Sequence, residues 1–185
     1  MTGHTTKAIA AQGTKTDVAV TLERTVAKIA VQASTTAEFS ERYSGKVRIN
    51  SVVLSKAASR SNLIAQQTPN TGPMTFTHTQ AADELSGKFR NLFYVPENGE
   101  LAEGSRLLLT LGATYDRDGN FSTTDDQAEV TYPVELSGDG AGRFLRNGYY
   151  RVQALIDGLT GSELSVSISV ADWETPVTQS VNLGQ

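Results

Sequence analysis

Apolar and polar residues alternate at every second position through much of this chain, the period of a β-strand with one buried face. The clearest case lies near the C-terminus. Tyr150, Val152, Ala154 and Ile156 alternate there with Tyr149, Arg151, Gln153 and Leu155. Asp157-Gly158 and Gly161 punctuate a turn. Leu164, Val166, Ile168 and Val170 follow, alternating with Ser165, Ser167 and Ser169. The two runs make a hairpin with a loop of several residues. Trp173, the sole tryptophan, closes the second run. Beyond it, the tail 174–185 carries a sparse apolar set, Val177, Val181 and Leu183, and no turn signal folds it back.

The same period recurs upstream. Val18, Val20 and Leu22 begin one strand, and Ala27, Ile29 and Val31 the next. The inward set changes from even to odd positions between Leu22 and Ala27, which requires a bulge or a joint between domains. Residues 33–45 are polar, with Phe39 and Tyr43 as aromatic anchors, and fit a short helix or a loop. Val47, Ile49, Val53 and Leu54 mark a strand bulged at Asn50-Ser51. Residues 55–82 have the least pattern, broken by Pro69, Gly72 and Pro73, with a short edge strand near Thr75–Thr79. Phe93 and Val95 oppose Tyr94, and Pro96 sets that run at an edge or a strand end. Leu107, Leu109, Leu111, Ala113 and Tyr115 make a further strand, and Val130, Tyr132, Val134 and Leu136 another. No stretch holds a helical period over ten or more residues. About seven strands, with turn signals at roughly ten-residue spacing, predict an all-β antiparallel sandwich.

Charge narrows the partners. The net charge is −4, and no two basic residues adjoin, so the clustered cations that nucleic acid or an anionic membrane needs are missing. The chain has no cysteine, which removes disulfides, thiolate nucleophiles and Cys-based metal sites together. Met1–Lys7 is polar and has no apolar signal core. The chain is then either cytosolic or begins inside a longer precursor.

Few groups invite chemistry. Asp116, Asp118 and Asn120, followed by Asp125 and Asp126, place hard oxygen ligands on one loop, as calcium requires. The calcium-loop template fails in detail, with Phe121 where a glycine is needed and Gln127 where a bidentate glutamate is needed. A solvated β-turn is our reading. Gly138, Gly140 and Gly142 imitate a phosphate loop, but Arg143 takes the third glycine's place and a strand follows. His4 and His78 read as exposed loop residues. Glu97, Glu100 and Glu103 have no spacing that favours a glycosidase pair over an acidic turn. Tyr149 and Tyr150 suggest a sugar-stacking face, but one belongs in the core and the other is a cross-strand partner, and Trp173 is a core plug. No catalytic residue, metal or cofactor is expected.

Four segments resemble a known family. R-N-G-Y-Y-R-V (Arg146–Val152), followed by V-A-D-W (Val170–Trp173) and a short tail, resembles the end of the fimbrillins, the FimA-type fimbrial subunits of Bacteroidetes. V-T-L-E-R-T-V-A-K-I-A-V (Val20–Val31), F-Y-V-P-E-N (Phe93–Asn98) and Y-P-V (Tyr132–Val134) resemble other parts of that family, in the same order. The resemblance implies a transthyretin-like sandwich over 25–185, with 1–24 the end of a preceding domain and a joint at Glu23–Thr25. It implies a structural subunit of a fimbrium on the bacterial outer membrane surface, cut from a lipidated precursor. Its partners would be other fimbrial subunits, with host surface proteins or glycans beyond them.

In that family a C-terminal strand is donated into a groove of the next subunit. Here the donor would be 174–185, with Val177, Val181 and Leu183 filling the groove. The family's groove is opened by an arginine-specific protease, at a site that would lie upstream of residue 1. Arg24 falls at the joint and is not that site. The alternative is a surface adhesin or carbohydrate-binding sandwich that does not polymerise, with calcium in the Asp116–Asp126 loop.

Overall fold

Each alternating run becomes a strand, and the strands sort into two sheets whose apolar faces meet. The computed structural model describes residues 1–11, 13–85, 88–171 and 178–181. The first sheet runs from edge to edge through β10 (Leu164–Ala171), β9 (Tyr149–Ile156), β2 (Val26–Thr35), β6 (Lys88–Pro96) and the two-residue β5 (Glu84–Leu85). The second runs through β4 (Phe76–Ala81), β3 (Lys46–Ala57), β7 (Leu108–Asp116) and β8 (Gln127–Glu135). Outside both, β1 (Val18–Thr21) and β11 (Thr178–Val181) form a two-stranded ribbon.

The sandwich therefore has nine strands among the described residues, where the pattern predicts about seven. The short edge strand expected near Thr75–Thr79 is present as β4, whereas the two-residue β5 is too short to leave a period in the sequence. Between the described strands, pairing is antiparallel with one exception. β2 and β9 run parallel, from Lys28 opposite Tyr149 to Thr35 opposite Ile156. The return from β8 crosses to the other sheet before β9 begins, and a crossover of that length permits parallel pairing.

The meeting faces carry Ile29, Val31, Phe93, Val95, Val152 and Ile156 from the first sheet, and Ile49, Val52, Leu54, Leu109, Leu111 and Tyr132 from the second. None is more than 4% exposed. In β3 the register shifts between Ile49 and Ser51, at the expected bulge. The inward set moves from odd to even positions there, so Val52 is buried and Val53, read as inward from the sequence, turns outward. Pro96 ends β6, which is an interior strand and not an edge over the part that β5 covers.

Between β2 and β3, residues 37–42 form a short helix, α1 (Ala37–Arg42). Thr36 caps it by accepting from the Phe39 amide at 3.2 Å. Phe39 drops into the core beside Tyr43 and Tyr115. Among the described residues, no helix is long and apolar enough to cross a membrane.

Candidate functional site

Three of the segments singled out in the sequence converge on one corner of the sandwich. Arg146, from the crossover before β9, is buried with Glu97, which follows β6. Its Nε and Nη2 donate to Glu97 Oε1 at 2.9 and 2.5 Å. Nη2 also donates to Ser61 Oγ at 2.9 Å and to the Asn62 carbonyl at 2.6 Å, and Nη1 to the Leu63 carbonyl at 3.2 Å. A buried guanidinium is tolerable only with such partners. Next to it, the Asn98 amide donates to the Phe144 carbonyl at 2.9 Å, and Asn98 Nδ2 to the Gly142 carbonyl at 2.8 Å. Asn147 takes a positive φ of 59°, which asparagine accepts more readily than most residues. Its amide donates to the Val26 carbonyl at 3.0 Å, and its Oδ1 accepts from the Arg24 amide at 3.4 Å.

This corner ties the start of β2, the end of β6 and the crossover into β9 together, and its charged groups are spent on one another. It is structural. Glu97 belongs to Arg146, while Glu100 lies 3.8 Å from Arg143 and Glu103 lies 3.8 Å from Arg106. The three glutamates therefore serve three different arginines. Arg146 escaped the sequence reading, although a lone charge inside F-L-R-N-G-Y-Y is the signal of a buried pair.

Residues 178–181 of the tail form one strand of the ribbon. Val18, Ala19, Val20 and Thr21 of β1 face Val181, Ser180, Gln179 and Thr178 of β11. The sequence has no turn signal to return this segment, yet the structure lays it against β1. Among the described residues, β1 pairs with no other strand, although Glu23 bridges to Thr2 just beyond it. Val181 is thus the register partner of Val18, while Trp173, Val177 and Leu183 lie outside the described residues. An isolated two-stranded ribbon is at best marginally stable in water. Elsewhere β10, β8 and β4 are edge strands. Beyond Phe89, β6 is no longer covered by β5. There Gln80 Nε2 of β4 donates to the Leu92 carbonyl, and Asn91 Nδ2 of β6 donates to the Ala81 carbonyl of β4, both at 2.9 Å.

The acidic loop joins β7 to β8. Asp116, Asp118 and Asp126 bring one carboxylate oxygen each to within 4.8 Å of one another. Most of these oxygens are already engaged in closing the loop. Asp116 Oδ1 accepts from the Asn120 amide at 2.8 Å, and Oδ2 from Gln127 Nε2 at 2.9 Å. Asp118 Oδ1 accepts from the Asn120 amide at 2.7 Å, and Asp126 Oδ2 from the Asp118 amide at 3.1 Å.

Burial pushes the Asp116 carboxyl up, but hydrogen bonds from Gln127, Asp118 and the loop amides together hold it below the ordinary value. The Asn120 amide lowers Asp118, but the hydrogen bond with Asp116 and the neighbouring negative charges leave it raised. One acid down and one up is what a shared, hydrogen-bonded carboxyl pair gives. The geometry is that of a turn locked by its own carboxylates.

Tyr150 is core, its ring tilted against Phe144 with centroids 4.6 Å apart, and Tyr149 lies on the outer face. His4 is exposed. His78 is not a loop residue. It sits in β4, half-buried, with its ring 4.7 Å from Phe76 and 6.3 Å from Phe93. Burial lowers its pKa from 6.5. The Gly138–Arg143 segment is a turn closed by Asp139 and Arg143, 3.1 Å apart, where a side chain on Gly138 would strike the Arg143 carbonyl.

No protein-family model matches the chain, and no curated protein matches it. Solved structures do. A candidate cell adhesion protein from Parabacteroides distasonis superposes with a TM-score of 0.58 at 14% identity, over 82% of this chain and 52% of that one. A fimbrial protein from Bacteroides vulgatus gives 0.53 at 10% identity, over 81% and 55%. A fimbrilin from Porphyromonas gingivalis gives 0.51 at 17% identity, over 83% and 59%. The chain thus has the fimbrillin-type β-sandwich fold, and it spans little more than half the length of the structures it matches.

Proposed function

We propose that this chain is a structural subunit of a cell-surface fimbrium and that its segment 174–185 is the strand it donates to a neighbouring subunit. The observation that carries the reading is the position of β11. It pairs with four residues of β1 and belongs to neither sheet of the sandwich. A strand so weakly held can leave its own chain and add to a partner's sheet edge, where main-chain hydrogen bonds supply affinity and alternate side chains fill pockets. Val177, Val181 and Leu183 are the residues assigned to those pockets. In this reading residues 1–24 end a preceding domain and 25–185 form the C-terminal one.

The partners are other copies or other types of fimbrial subunit, and host surface proteins or glycans for an adhering fimbrium. The location is the outer membrane surface, reached through a lipidated precursor. The work is structural, not enzymatic. The runner-up is an adhesin of the same fold that does not polymerise.

Limited proteolysis read by mass spectrometry separates the two. Residues 174–185 are expected to be cut in the isolated chain and protected after mixing with a protease-matured full-length subunit. Equal cutting with and without that partner would remove strand donation and leave the adhesin.

A further inference from the structure

The four long strands of the first sheet, β2, β6, β9 and β10, contain no aspartate or glutamate, in a chain whose net charge is −4. They do contain Lys28, Lys88, Arg90 and Arg151. The strand period sends Lys28, Arg90 and Arg151 to the face away from the core, because Ile29, Asn91 and Val152 beside them are buried. Registers then order this outer face into rows. Ala171, Tyr149, Lys28 and Tyr94 form one row. Ser169, Arg151, Ala30 and Leu92 form the next, and Ser167, Gln153, Gln32 and Arg90 the third.

The small Ala30 at the centre leaves a recess of about 380 Å³, whose lining includes Arg90, Arg151, Gln32, Gln153 and Ser167. Arg90 and Arg151 stand two strands and two residues apart, about 12 Å at the backbone. Two long side chains can therefore reach one bound anion. Neither makes an ion pair among the described residues. Arg151 lies 5.2 Å from the Tyr149 ring, which Lys28 covers from 4.4 Å. The second sheet is charged differently: its edge strand β8 carries Glu129 and Glu135, its interior strand β3 carries Lys46, Arg48 and Lys56, and Lys56 pairs with Glu135 at 3.5 Å.

From this we infer that the outer face of the first sheet is a binding site for an acidic polysaccharide, one bearing carboxylate or sulfate groups on a hydroxyl-rich chain. Guanidinium forks match such anions bidentately. The amides of Gln32 and Gln153 and the hydroxyls of Ser167 and Ser169 suit sugar hydroxyls. The recess volume is in the range of small-ligand sites. An acidic peptide fits less well. At the recess itself the central strands β9 and β2 are paired on both sides, so no strand can be added there, and the recess offers no deep apolar pocket to anchor side chains. The inference is independent of polymerisation and holds for a fimbrial subunit or a lone adhesin.

The test is calorimetric titration with heparin and polygalacturonate oligosaccharides, with polyglutamate as the peptide probe. The double variant Arg90→Ser/Arg151→Ser is expected to weaken saccharide binding at least tenfold. Arg48→Ser, on the other sheet, is expected to change it less than twofold. Circular dichroism of each variant checks that the exposed substitutions leave the fold intact. Three results would each overturn the proposal: no saturable binding of either saccharide, an equal loss in Arg48→Ser, or polyglutamate binding as tightly as the saccharides.

Discussion

Arg146 and Glu97 are each 9% exposed or less and satisfy one another together with Ser61 and two carbonyls. Removing one partner strands the other as a buried charge, which costs about 3–5 kcal/mol. Arg146→Met is therefore expected to lower stability by about that amount in urea titrations, while Arg146→Met/Glu97→Met recovers much of the loss. If the single variant matched the wild type, the corner would not be the clamp described here.

His78 gives a pH signature. Its ring is half-buried between Phe76 and Phe93, and its Nε2 is buried without a partner. The unfolded chain therefore takes up the proton more readily than the folded one. Stability from this group is retained above pH 6.5 and falls as the pH drops from 6.5 toward the lowered folded value. His78→Phe removes that slope, so its melting temperature should fall less between pH 7.5 and 5.5 than the wild type's. Identical falls would contradict the packing assigned to His78.

Among the elements, the strongly alternating runs were legible because a half-buried strand imprints its period directly on the chain. Leu107 to Tyr115 and Tyr150 to Ile156 are the best cases, and even the bulge at Asn50-Ser51 showed as a change of phase. The parallel pairing of β2 with β9 was not legible, because period 2 records which face is buried and is silent about the neighbour's direction. Val53 was misread for a related reason: a bulge moves the inward set by one residue, and in a pair of valines either can follow it. His78 was placed in a loop because threonines surround it, whereas the structure uses those threonines as the polar face of an edge strand.

Of the candidate site, the acidic cluster was readable as a turn. The corner was not, since Arg146 and Glu97 lie 49 residues apart in sequence. The outer basic face was also missed. Its cations are isolated along the chain, and only the sheet registers bring Arg90 and Arg151 to one surface.

At the scale of the molecule, two sheets make the sandwich and the β1–β11 ribbon belongs to neither. The tail is the one described C-terminal element that neither sheet uses, and β1 is its only strand partner among the described residues. Holding β11 on β1 and giving it to a neighbour are competing uses of the same backbone hydrogen bonds, so strand donation requires the ribbon to open.

A disulfide decides this directly, because the natural chain has no cysteine to interfere. Val18 and Val181 are register partners, and Cα atoms so paired lie about 4.5–5.5 Å apart, within disulfide range. Val18→Cys/Val181→Cys would lock β11 onto β1 when oxidised. The measurement is light scattering after mixing the oxidised or reduced variant with a protease-matured full-length subunit. Strand donation predicts assembly by the reduced form and none by the oxidised form, with reduction restoring it. Assembly by the locked form at the reduced form's rate would contradict the tail as donor.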